Sequence, residues 1–76
     1  MFEKIKEVTA HLMRIDESKI QMESHLREDL GFDSLMILEL VLELESTFDI
    51  AIDDHEVATF FHVEDVVTCV EAKINP

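Results

Sequence analysis

Asp29-Leu30-Gly31-Phe32-Asp33-Ser34-Leu35 runs straight into an apolar-periodic stretch that ends at Phe48, and the reading of this junction decides the fold. Gly31 is the only glycine in the chain. A glycine used once belongs where no side chain is tolerated, at a tight turn or a positive φ. Asp33 suits the cap of the helix that follows, and its carboxylate suits the positive end of that helix's dipole. Ser34 is therefore expected in the first turn with its hydroxyl facing outward, where another protein can reach it.

From Ser34 onward, at about 100° per residue, Ile37, Leu40, Val41, Leu44 and Phe48 fall within one stripe wide enough to face a core. Leu35, Leu38 and Leu42 fall on a second stripe, roughly 130° from the first, close to Ser34 and flanked by Glu39 and Glu45. In a larger protein such a helix would be buried on most sides. Four short segments cannot surround it, so the second stripe reads as a docking surface, apolar along its middle and acidic at its rim.

Upstream, Phe2, Ile5, Val8 and Leu12 stand at helical spacing and predict an amphipathic helix from Phe2 to about Met13, with no glycine to end it. Between Ile15 and Phe32 the pattern thins. Asp16-Glu17-Ser18 reads as a turn, and Ile20, Met22, Leu26 and Leu30 recur without a helical period, which leaves a connection unusually long for a compact domain. Downstream, Ile50-Ala51-Ile52 is too brief for a strand, and Asp53-Asp54 can start a short helix through about Thr59. Val63, Val66, Val67, Val70 and Ile74 follow at 3,4 spacing and predict a last helix, with Cys69 partly buried on it. The class is all-α: three main helices plus one short one, with a long first loop.

Seventy-six residues make one domain spanning 1–76, and a chain this short buries only about 60% of its unfolded surface, with no room for an active-site cleft. The composition is 47% apolar with one Pro, which supports a helical core over a turn-rich sheet fold. Charge is distributed unevenly. Through Arg27 five basic residues balance five acids, but from Glu28 to Ala72 there are thirteen acids and no Lys or Arg. Such a surface repels nucleic acid and anionic membranes and steers toward basic proteins. The single cysteine forms no internal disulfide, and no signal segment or membrane-length apolar run is visible, so a cytoplasmic monomer without membrane insertion is expected.

The heptad from Asp29 to Leu35, the acidic apolar helix after it, and Phe48-Asp49-Ile50 with Ile52-Asp53-Asp54 resemble the acyl carrier proteins of fatty-acid and polyketide synthesis. The resemblance covers nearly the whole chain and implies a small up-down helical bundle whose long first connection packs onto it, here with one helical turn around Ser24 to Arg27. It implies that Ser34, between Asp33 and Leu35, is esterified by phosphopantetheine through the action of a phosphopantetheinyl transferase. Acyl groups would then ride on the arm's thiol as thioesters. It further implies that the second helix, through Leu35, Leu38, Glu39, Leu42 and Glu45, meets acyl-transferring and chain-elongating enzymes with basic docking patches. A carried chain would fold into the interior among Leu44, Ile52, Phe60 and Val66. The chain departs from the family pattern at Arg14, where a helix-ending glycine is common, at Met36, where an acid is common, and at Asp53, where proline is frequent.

Other chemistries fail on particular residues. His11, His25, His55 and His62 lack the close spacing of a zinc site and are expected at the surface, so no metal is assigned. Asp29 to Asp33 begins like a calcium loop but has Gly31 at the third ligand position. Phe32 replaces the glycine of the Gly-Asp-Ser-Leu hydrolases, and no glycine follows Ser34 as a nucleophile elbow requires. No enzymatic activity is expected. The alternatives to a free-standing acyl carrier are a small acidic adaptor that binds a basic partner through its second helix, and a peptidyl or aryl carrier of non-ribosomal peptide synthesis.

Overall fold

A computed structural model describes residues 1–75. Four α-helices follow in order: α1 (Phe2–Met13), α2 (Ser34–Phe48), α3 (Asp54–Val57) and α4 (Val63–Ile74). The periodic stripes lead to one shared core. Ile5 of α1, Ile37, Leu40, Val41 and Leu44 of α2, and Val63, Val66, Val67 and Val70 of α4 are all buried in it. The connections contribute Ile20, Leu26, Phe32, Ile52 and Phe60. This is the small all-α bundle that the periodicity predicts, and among the described residues there is no β-strand.

The long first connection is held by main-chain bonds to a distant segment. Leu26 N–H donates to Phe61 O at 2.8 Å, Val63 N–H to Ser24 O at 3.0 Å, and Glu64 N–H to Met22 O at 2.9 Å. An isolated antiparallel bridge therefore joins His25 and His62, whose rings meet edge to face at 5.1 Å between centroids. These two histidines are half-buried, whereas His11 and His55 are exposed. The helical turn expected around Ser24 to Arg27 is displaced. The connection holds a 3-10 turn at Glu17–Lys19, and a separate turn at 26–30 in which Asp29 N–H donates to His25 O.

Helix α1 ends without a glycine because Arg14 itself takes the left-handed conformation, at φ 58° and ψ 44°. Its N–H closes onto the Ala10 and His11 carbonyls, and Ile15 N–H reaches Ala10 O at 3.1 Å while the Ile15 side chain packs on the core. An L-residue there costs roughly 1–2 kcal/mol. Glycine escapes that cost but gives some of it back through the entropy of the unfolded chain. Arg14→Gly should therefore stabilise the fold by about 0.5–1 kcal/mol in denaturant titration, whereas Arg14→Ala, which keeps a Cβ, should change stability by less than about 0.5 kcal/mol. Equal stability of the two variants would contradict this account.

Helix α3 is only four residues long and is capped at its start by a reciprocal pair of side chains. Asp53 supplies its cap, and Asp53 and Glu56 each accept the other's main-chain N–H at 3.1 Å. Aspartate at this position thus caps the helix in a way that proline could not. Lys73 of α4 places Nζ 2.8 Å from Glu56 Oε1, tying α3 to the last helix. The Lys73 ammonium, followed by the Asp53 N–H, holds the Glu56 carboxyl down to about 2 from its ordinary value near 4.5. Lys73 is pushed above its ordinary value by the same contact.

A depressed carboxyl stabilises the fold above the unfolded-state value and ceases to do so as pH falls through the folded-state value. A raised ammonium stabilises below its unfolded-state value and loses that effect as pH rises through the folded one. Glu56→Gln keeps a capping acceptor and removes the charge. Its thermal midpoint should lie below that of the parent chain from about pH 5 to pH 9, and the gap should close as pH approaches about 2. A gap independent of pH would mean that the pair contributes nothing as charges.

Candidate functional site

The turn and the helix that meet at Ser34 are both locally determined. Gly31 adopts φ 80°, and a Cβ added there would meet no atom within 4 Å, so glycine is needed for its backbone conformation and not for space. Phe32 then turns inward and is buried, while its N–H donates to Leu26 O at 2.9 Å. Asp33 stands extended at φ −111° and accepts the Met36 N–H on its side chain at 2.8 Å, capping α2. With a buried anchor on one side and a cap on the other, Ser34 is left exposed as the first residue of α2.

The serine has a cation beside it. Arg27 Nη2 donates to Ser34 Oγ at 3.4 Å, from a backbone fixed by the Arg27 N–H to His25 Nδ1 bond and by the Gly31 N–H to Arg27 O bond, both 3.2 Å. Sequence reasoning missed Arg27. Nothing in a run of isolated charges marks which residue a turn will fold back on a site seven positions later. A half-open cleft beside Ser34 holds ≈ 250 Å³ and is lined by Arg27, Ser34, Ile37, Val57, Ala58, Phe60 and Phe61.

Along α2 the two stripes separate in space. Leu35, Leu38 and Leu42 are 63%, 53% and 58% exposed, whereas Ile37, Leu40, Val41 and Leu44 are buried. Glu39 is exposed as well. Glu45 is placed differently. Its carboxylate accepts the N–H of buried Ile52 at 2.9 Å, so it braces the segment after α2 besides carrying charge. Leu44, Ile52, Phe60 and Val66 are all buried, and of these four Phe60 alone lines the cleft beside Ser34.

Two other chemistries can be set against this site. Among the described residues no three of His, Cys, Asp and Glu are grouped so as to hold a metal ion. The Cys69 thiol is pushed up to about 11, first by burial and then by its hydrogen bond to Glu56, so near neutral pH it is a protonated thiol and a poor nucleophile. The exposed hydroxyl of Ser34, with a guanidinium at hand and open space alongside, fits a bulky anionic substituent.

The comparisons with known proteins agree with that chemistry. The family model for a phosphopantetheine attachment site matches residues 3–70. The chain is 44% identical to the acyl carrier protein of Clostridium acetobutylicum over 72 residues, 95% of this chain and 94% of that one. It is 41% identical to that of Campylobacter lari over 71 residues, 93% and 92% of the two chains. A solved Mycobacterium tuberculosis structure assigned as an acyl carrier protein superposes with a TM-score of 0.89 at 38% identity, covering 93% of this chain and 95% of that one. The chain therefore belongs to the acyl carrier protein family, whose prosthetic group is a covalently attached phosphopantetheine.

Proposed function

We propose that residues 1–76 act as one free-standing carrier domain that bears phosphopantetheine on Ser34 and delivers acyl intermediates of fatty-acid, polyketide or other lipid synthesis between enzymes in the cytoplasm. The single observation that carries this reading is the exposed Ser34 hydroxyl at the start of α2, between the capping Asp33 and exposed Leu35. The bound group supplies a terminal thiol that holds the acyl chain as a thioester. The protein's own residues present and orient. Gly31 and Asp33 set the serine at the helix start, and Ile37, Val57, Ala58, Phe60 and Phe61 offer apolar surface next to it.

Leu35, Leu38 and Leu42, with Glu39 and Glu45 at the edges, are the proposed docking face for a phosphopantetheinyl transferase and for acyl-handling enzymes with basic patches. The chain itself catalyses nothing in this reading. No helix among the described residues is long and apolar enough to cross a membrane. Incubation with coenzyme A and a phosphopantetheinyl transferase tests the proposal. Intact-mass measurement should show one phosphopantetheine per chain, and peptide mapping should place it on Ser34. A chain that stays unmodified with several transferases would refute it.

A further inference from the structure

Arg27 is the only Lys or Arg between Lys19 and Lys73, in a chain of net charge −12. Lys4, Lys6 and Lys73 each pair with a glutamate, but among the described residues the Arg27 guanidinium has no carboxylate within 4.0 Å. Acids close to it in sequence, Glu28, Asp29 and Asp33, are engaged elsewhere. Glu28 faces His25 at 3.4 Å, Asp29 accepts the His25 N–H at 2.7 Å, and Asp33 caps α2. What the guanidinium does touch is Ser34 Oγ, at 3.4 Å, a long contact for a cation on a neutral hydroxyl.

We propose that Arg27 is the anion clamp of the prosthetic group, an inference that rests on Ser34 being the attachment site. Once Ser34 is esterified, the non-bridging phosphate oxygens lie just beyond Oγ, in the shell that Nη2 already occupies. The neutral acceptor is replaced by an anion, and charge-assisted N–H···O bonds of about 2.7–2.9 Å become available, two of them if the planar fork engages both oxygens. The need for a cation is local. Esterification adds a negative charge beside the carboxylate of Asp33, and the end of the α2 dipole supplies only about half a unit of positive charge against the two. The clamp holds the root of the arm against the first turn of α2, at the mouth of the cleft that Arg27 and Ser34 both line.

The test compares the parent chain with Arg27→Gln and Arg27→Lys, each loaded to completion with coenzyme A and an excess of transferase. Equal thermal midpoints of the three unloaded chains would establish that the exposed Arg27 is not needed for folding. Intact mass should then show one adduct on each. In ³¹P NMR the phosphodiester line should narrow by about twofold in Arg27→Gln, as the phosphate gains motion independent of the protein, and by less in Arg27→Lys. Raising salt from about 50 to 500 mM should narrow the parent's line and leave that of Arg27→Gln unchanged. Identical line widths in parent and Arg27→Gln would overturn the clamp and leave the attachment reading intact. An adduct missing from Arg27→Gln alone would assign Arg27 to the transferase contact and overturn the clamp. A parent chain that takes no adduct would overturn the attachment reading and the clamp with it.

Discussion

Ser34→Ala is expected to take up no phosphopantetheine under conditions that load the parent chain with one arm per molecule. The reason is the pairing of an exposed hydroxyl with a fixed approach. Ser24 is buried and its Oγ already accepts the Gln21 N–H at 2.9 Å. Ser18 lies in the 3-10 turn and Ser46 in the later part of α2, neither following a left-handed glycine and a capping aspartate. The substitution should leave the fold alone, because Ser34 is exposed and its hydroxyl gives up a single long bond from Arg27. Stability should change by less than about 0.5 kcal/mol. Intact mass after transferase treatment, alongside a thermal melt, measures both. An adduct that persists in a folded Ser34→Ala would move the attachment site to another residue.

The helices of this chain are legible in its sequence because their signals are local. The 3,4 spacing of Ile37, Leu40, Val41 and Leu44 and of Val63, Val66, Val67 and Val70 needs no information beyond one helix, and Asp33 and Asp53 mark starts that the side-chain caps bear out. The first connection is a different case. Its order comes from main-chain bonds between 22–26 and 61–64, and main-chain donors and acceptors are the same at every residue, so no periodicity announces the partner. The same holds for the bond from Ile52 N–H to Glu45, which turns an apparent rim acid into a brace. Arg14 hides the end of α1 because the left-handed position is filled by a residue that gives no hint of it. At the candidate site, Gly31, Asp33 and Ser34 are readable from their order alone. Arg27 is not, since its place beside Ser34 depends on the turn at 26–30 that brings it back.

Along α2, substitutions on the two stripes should have opposite effects on folding and binding. Ile37 is 6% exposed, so Ile37→Ala removes packed core atoms and should destabilise the fold by about 2 kcal/mol or more. A domain of this size has only roughly 4–11 kcal/mol to lose, which makes that a large fraction. Leu35→Ala and Leu38→Ala truncate side chains already in water and should barely move the unfolding midpoint. Both should weaken transferase binding by roughly 1–2 kcal/mol through lost burial and faster dissociation. Glu39→Lys should chiefly slow association and flatten its salt dependence, as expected of an exposed rim charge. Glu45→Lys should do this and also cost about 1–2 kcal/mol of stability, because the N–H of buried Ile52 loses its acceptor. Transferase kinetics and thermal unfolding of the five variants separate these roles. If Leu35→Ala and Leu38→Ala unfold as readily as Ile37→Ala, the exposed leucines are core in solution and the docking face lies elsewhere on the molecule.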